Sequence, residues 1–258
     1  MILVISPAKT LDFESPPVTD QYSFPESLDR SEKLIKKLRT LSRKKLGALM
    51  NISKDLATLN YDRYINWTPE FDKDSARIAV QAFKGDVYIG LDLDSFTPED
   101  IDFAQEHLRI LSGLHGVLRP LDLIKPYRLE MGTKLPVARK KNLYEFWTEE
   151  VTGRINAELA TEKENTLVNL ASDEYFNVID TKKIKANIVK PVFKEMKNGQ
   201  YKVISFLAKK ARGTMSAYAI KNRLSKVEDL RNFDEDGYEY NEALSDTNEW
   251  VFTRNSNQ

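Results

Sequence analysis

The chain opens on four consecutive apolar positions, Ile2–Ile5, closed by Ser6-Pro7, a pattern that predicts a short buried strand. Pro16, Pro17 and Pro25 then predict an extended surface loop. From 27 to 66 the apolar positions recur at helical spacing: Leu34, Leu38 and Leu41, then Leu46, Leu49 and Met50, then Leu56, Leu59 and Tyr64. Two or three helices are expected there, with Ser53 as a cap. A further helix is read over 71–83 and a strand over 87–91. Strands follow at 167–170, 188–193 and 201–206, the last two joined through Asn198-Gly199, a strong short hairpin signal. Helices are read at about 142–160 and 207–224, and the tail 255–258 is expected to fray. No repeat or linker divides the chain. The irregular alternation predicts one α+β domain over 1–258, compact, with a mixed sheet and surrounding helices, not a regular doubly wound fold.

Between 101 and 128 the pattern is more specific. Thr97-Pro98-Glu99-Asp100 reads as a helix start, and Ile101, Ala104, Leu108 and Leu111 continue as one apolar stripe. Ser112-Gly113-Leu114-His115-Gly116 breaks the stripe before Val117-Leu118. Helix, glycine turn and second short helix resemble a helix-hairpin-helix, in which Gly113 and Gly116 would let backbone N–H groups approach a phosphate. Arg109, Arg119, Lys125 and Arg128 surround the turn with cations. An ordinary helix connection capped by glycine fits the same residues.

Composition narrows the chemistry. The 258 residues contain no cysteine, which excludes disulfides, thiolate metal sites, thiol nucleophiles and thiol peroxide sensing. Two histidines, His107 and His115, are too few for a histidine-built metal centre. The ten glycines form neither a dinucleotide fingerprint nor a phosphate loop, so no nucleotide cofactor is expected, and with the missing thiols and scarce imidazoles no metal site is expected either. No apolar run approaches the ~20 residues that span a bilayer, so a soluble, intracellular protein is expected.

Lys and Arg total 39, as do Asp and Glu, yet the charges are segregated. Residues 182–226 hold thirteen bases and one acid, and 228–249 hold nine acids and one base. Face-to-face packing of the two blocks explains this as well as a polyanion surface does. On the helix read at 207–224, Leu207, Ala211, Met215, Tyr218 and Ala219 share a buried arc at about 100° per residue. Lys209, Lys210 and Arg212 flank it, and Gly213, Ser216 and Ala217 form a small floor between the flanks. That floor is expected to admit a phosphate backbone, unless the cations are simply solvated. Three polar runs, around Lys9, around Lys84 and over 169–176, lie beside predicted strands. They read as loop caps, or as a reaction centre if they converge.

Five segments, SPAKTLDFESP (6–16), FKGDVYIGL (83–91), LRILSGLHGVLRPLDLIKPYRLEMG (108–132), NLASDEYF (169–176) and SFLAKKARGTMS (205–216), resemble the bacterial peroxide stress protein YaaA family over essentially the whole chain. The resemblance implies a cytoplasmic protein of the hydrogen peroxide response that limits free iron and Fenton damage to DNA. It also implies an α+β fold with a helix-hairpin-helix element and a positive DNA-binding cleft. The expected partner is DNA, duplex or branched, held mainly by phosphate contacts from Lys9, Lys84, Arg109, Arg119, Lys125, Arg128, Lys209, Lys210 and Arg212 and by the Gly113–Gly116 turn. Two alternatives stand beside this. One is a DNA glycosylase or lyase with Lys9 or Lys84 as amine nucleophile and Glu130 or Glu174 as carboxylate partner. The other is an iron-handling or protein-partner role in which the basic face is incidental.

Overall fold

From the N-terminus the chain forms β1 (Ile2–Ile5) and β2 (Thr10–Leu11), then helices α1 (Leu28–Arg39), α2 (Arg43–Met50) and α3 (Lys54–Asn66). Next come β3 (Arg77–Ile78), α4 (Ala79–Ala82), β4 (Phe83–Lys84), α5 (Asp86–Leu91) and α6 (Pro98–His107). The strands β5 (Leu108–Ser112), β6 (Gly116–Leu118) and β7 (Leu123–Ile124) lead to α7 (Leu143–Leu159), β8 (Thr166–Leu170) and α8 (Asp173–Phe176). The strands β9 (Asn187–Lys197) and β10 (Gln200–Lys202), helix α9 (Ser205–Lys221) and the strands β11 (Glu239–Tyr240) and β12 (Glu249–Arg254) complete it. This computed structural model describes residues 1–72 and 75–255, so residues 256–258 of the expected frayed tail lie outside the described residues.

The fold is α+β around a mixed eight-stranded sheet in the order β11-β12-β9-β8-β1-β5-β6, with β10 paired to β9. Five of these strands, β12, β9, β8, β1 and β5, run parallel. β6, β10 and β11 are antiparallel to their neighbours. β1 is apolar at every position because it lies between two strands with both faces covered, and all four of its residues are buried. Two small ladders, β2 with β4 and β3 with β7, tie the loops together outside the sheet.

Local signals hold where chemistry rather than periodicity sets them. The Thr97 side chain accepts from the N–H of Asp100 at 3.2 Å while Asp100 accepts from the N–H of Thr97 at 3.0 Å, a reciprocal cap. Ser53 caps α3 through the N–H of Leu56. Asn198 and Gly199 adopt φ of 52° and 73°, the left-handed pair that a two-residue hairpin requires.

The helix-hairpin-helix expected at 101–128 is corrected. Its first helix exists, but α6 ends at His107 and residues 108–112 form β5, paired to β1 with Leu3 opposite Leu108. Gly113-Leu114-His115 is the turn of a β-hairpin that returns as β6. Leu108 and Leu111 happen to extend the helical stripe of α6, but they belong to a strand whose five residues are all buried. The strand read at 87–91 is helix α5, because a five-residue apolar run fits a buried helical turn equally well. In place of the helix at 71–83 stand β3, α4 and β4.

Candidate functional site

The parallel strands β1, β5 and β8 all end on one edge of the sheet, and the chain leaves each of them in polar residues. The Ser6 hydroxyl, just beyond β1, accepts the N–H of Ser172, just beyond β8, at 2.9 Å. The Tyr88 hydroxyl donates to the Ser6 carbonyl at 3.2 Å, and a Cβ on Gly85 would lie 3.3 Å from that of Ala8. Beyond β5, the Ser112 and Tyr127 hydroxyls are 2.6 Å apart. The structure thus brings the three polar runs together. From β1 the chain crosses to β5 on one side and later returns to β8 on the other. At such a reversal the connecting segments diverge and leave a crevice outside the carboxyl ends of the strands, the usual ligand position in parallel sheets.

Lys9 and Arg128 share one carboxylate in this crevice. Lys9 Nζ lies 2.9 Å from one oxygen of Glu130, and the Arg128 guanidinium lies 2.9 Å from the other. Glu174 accepts the N–H of Gly132 at 3.1 Å. The segment 128–132 reaches this position by passing against Gly113, where any Cβ would collide with the carbonyl of Leu129. The Tyr64 hydroxyl holds the carbonyl of Arg128 from the other side. Burial, then neighbouring tyrosines, pushes the hydroxyls of Tyr88 and Tyr175 well up, and burial does the same for Tyr127. These hydroxyls stay protonated and position neighbours as donors and acceptors.

Lys84 extends the cationic rim. It pairs with Asp12 at 3.1 Å, across the short ladder that sets Thr10 opposite Lys84. Hydrogen bonds from the N–H and hydroxyl of Ser15, then Lys84, hold the Asp12 carboxyl well below its ordinary range. Asp12, Arg63, Lys84 and Pro126 line a cleft of about 360 Å³. Arg63 is half-buried, its guanidinium makes only a long contact of 3.4 Å to Asn60 among the described residues, and desolvation lowers its pKa. Beyond Lys84 a second cleft of about 610 Å³ carries Asp92 and Asp94, so positive potential falls off on that side.

Helix α9 does not offer the small floor expected of it. A Cβ on Gly213 would strike the carbonyl of Val87, and one on Gly90 would strike that of Lys210. The small residues let α9 and α5 cross closely, leaving no room there for a phosphate backbone. The three flanking cations separate. Lys210 turns to Asp236 at 3.0 Å, a contact between the basic and acidic blocks. Lys209 is exposed, with no ionic partner among the described residues. Arg212 is half-buried and likewise unpaired, and desolvation lowers its pKa against the attraction of Asp173 beside the crevice.

The remaining predicted positions do not converge here. Arg109 is buried, pairs with Glu158 at 2.8 Å and donates to the carbonyls of Gln105 and Leu108, so it presents no charge to a ligand. Gly116 has φ of 72° and faces Trp147, whose ring would lie 2.7 Å from a Cβ there. Its neighbour is an indole, in a turn buried throughout. Arg119 is bound to Asp122 and the carbonyl of Phe24. Lys125 donates to Thr68 at 2.7 Å and sits over Phe71. His115 is fully buried, with Nδ1 3.0 Å from the Ser31 hydroxyl, and burial lowers its pKa to about 3. His107 lies 3.1 Å from the Met1 carbonyl. Among the described residues, no group of three or more His, Asp or Glu side chains is placed to hold a metal ion. No helix among them is long and apolar enough to cross a membrane.

Sequence reasoning missed Arg63, Asp12 and the tyrosines under the crevice. Arg63 reads as one more surface cation of a helix, and only the fold reveals that it has no ion-pair partner among the described residues. Asp12 lies inside the segment 6–16, but its pairing with Lys84 spans 72 residues. The family model of peroxide stress protein YaaA matches residues 1–244, covering every segment that meets at the crevice, and the chain belongs to that family.

Proposed function

We propose that the protein serves the peroxide response by binding DNA along the cationic rim of the crevice. The observation that carries this reading is the presence of two half-buried guanidinium groups, Arg63 and Arg212, with no carboxylate at ion-pair distance among the described residues, Arg212 feeling Asp173 only from further off. A buried cation left without its counter-ion is costly, and a phosphate would supply one. Lys84 lines the same cleft as Arg63, Lys9 and Arg128 meet at Glu130, and Lys209 is exposed three residues before Arg212 on α9. Arg109, Gly113, Gly116, Arg119, Lys125 and Lys210 contribute to the fold, not to this rim. Occupation of phosphates releases their counter-ions. On this reading bound ferrous iron is among the ions displaced, which limits radical chemistry at the backbone in the cytoplasm.

The test is a titration of duplex DNA at several salt concentrations. The expected log–log slope corresponds to roughly four to eight neutralised phosphates, with little dependence on sequence. A slope near zero overturns the reading.

A second reading, an amine nucleophile acting on damaged DNA, has one specific observation in its favour: the Lys9–Glu130 pair at the carboxyl edge of the sheet. In that chemistry the amine adds to the aldehyde of an abasic sugar and expels water, giving an imine that borohydride traps. Incubation of an abasic oligonucleotide with borohydride tests it, and a cross-link lost in Lys9→Ala but kept in Lys84→Ala supports it.

A further inference from the structure

The second cleft beyond Lys84, of about 610 Å³, is not part of the cationic rim, yet it is firmly built. One wall is the proline-rich loop 16–18, which Gln81 fixes from 63 residues away. The Gln81 side-chain amide donates to the carbonyl of Pro16 at 2.7 Å, and its oxygen accepts the N–H of Val18 at 3.4 Å. The other wall is α5 with the turn that follows it. Ile89 on α5 is 63% exposed and Val18 on the loop 37%, and both line the cleft. A single exposed aliphatic side chain is ordinary. Two of them on one concave surface, with the buried rings of Phe83 and Tyr88 in its lining, give that surface an apolar middle.

Carboxylates stand at both ends of this middle. Asp12 holds Lys84 at 3.1 Å where α5 begins, and Asp92 and Asp94 follow where it ends. The six residues of α5 separate the two ends by about 9 Å, at 1.5 Å per residue. Lys84 is the one base in the lining among the described residues, and Asp12 already takes it. Residues 85–106 hold seven acids and no Lys or Arg, so the surrounding segment supplies Asp92 and Asp94 with no cation. Acid, hydrocarbon and acid in that order complement an amine whose charges sit at the ends of a methylene chain. An extended peptide offers only about three residues over the same length. Its middle side chain points away from the face that the outer two share, so it cannot present two ammonium groups and a hydrocarbon centre together. We infer that the cleft binds a linear aliphatic diamine or triamine. One ammonium meets Asp92 and Asp94, the other shares Asp12 with Lys84, and the methylenes lie on Val18 and Ile89. The ligand carries the opposite charge to a phosphate, so this site is distinct from the rim and does not depend on DNA binding.

The experiment is a calorimetric titration of the full chain with spermidine, without DNA and at low ionic strength, where exposed charges are least screened. Saturable binding at a single site is expected. Butylamine keeps hydrocarbon with one charge and Mg²⁺ keeps charge without hydrocarbon, and each is expected to bind more weakly by about tenfold. Asn tolerates the left-handed backbone at Asp92, where φ is 51°. The double variant Asp92→Asn, Asp94→Asn is therefore expected to melt normally and to weaken spermidine by about fivefold. Ile89→Ser changes an exposed side chain and is expected to cost about threefold for spermidine, with no change for Mg²⁺. Glu242→Gln, in the acidic block 228–249, is expected to leave the affinity unaltered. Mg²⁺ binding as tightly as spermidine, an unaltered affinity in Ile89→Ser, or an equal loss in Glu242→Gln overturns the inference by reducing it to charge alone. A wild type that does not bind spermidine overturns it outright, and none of these results bears on the salt titration with duplex DNA.

Discussion

The hydroxyls of Ser6 and Ser172, separated by 166 positions in the chain, lie 3.2 Å apart, and the same Ser6 oxygen receives the N–H of Ser172. This contact ties the ends of β1 and β8 together where the connections reverse direction, and so fixes the floor of the crevice. Replacing Ser6 with Ala removes the acceptor of a part-buried N–H, at a cost of about 1–3 kcal/mol. Chemical denaturation of Ser6→Ala is expected to show that loss without a change in m-value.

Lys209 and Lys210 are adjacent in sequence and are expected to behave differently. Lys209→Gln removes a free cation from the rim, so duplex affinity falls and the salt slope shrinks by about one unit, with an unchanged melt. Lys210→Gln breaks an exposed pair with Asp236 worth about 0–1 kcal/mol and leaves the salt slope where it was. Paired melts and fluorescence titrations distinguish them, and a larger slope change in Lys210→Gln contradicts the assignment.

Glycines 116 and 213 are predicted to act on stability. At Gly116 the positive φ and the Trp147 ring both oppose a side chain, and at Gly213 the Val87 carbonyl does. Gly116→Val and Gly213→Val are each expected to lower stability by about 2–4 kcal/mol. A normal melt combined with lost DNA binding in Gly116→Val would restore that turn as a phosphate contact.

The buried His115 makes stability depend on acid. Its pKa is lowered to about 3 in the fold from 6.5, chiefly by desolvation. Between these values the unfolded chain binds the proton and the folded chain does not, so its contribution is complete above about pH 6.5 and is lost as pH falls towards 3. The effect is of the order of a few kcal/mol. His115→Gln is expected to flatten the stability profile between pH 6 and 4, measured by denaturation at each pH.

What the sequence made legible follows from which interactions are local. The Thr97 cap, the Asn198-Gly199 hairpin and the buried strand at Ile2–Ile5 are each specified by neighbours within a few residues, and each stands where it was read. The stripe through Leu108 and Leu111 misled because burial on both sides of a strand erases the alternation that distinguishes strand from helix. The candidate site was half legible. Lys9, Lys84, Arg128 and Glu130 were named and do gather. Arg109 and Lys210 looked identical to them as letters, and only their partners Glu158 and Asp236, distant in the chain, take them out.

The position of β1 has a consequence for the order of synthesis. Leu3 pairs with Leu108 on one side and Val168 on the other. β1 therefore has no sheet partner until more than a hundred further residues have emerged from the ribosome, and its second flank stays open until β8 follows. Non-local pairing of this kind is slow, and an unpaired apolar strand is prone to aggregation while it waits. Chains truncated before residue 166 are thus expected to need chaperone protection, and the crevice takes shape only once β8 has emerged.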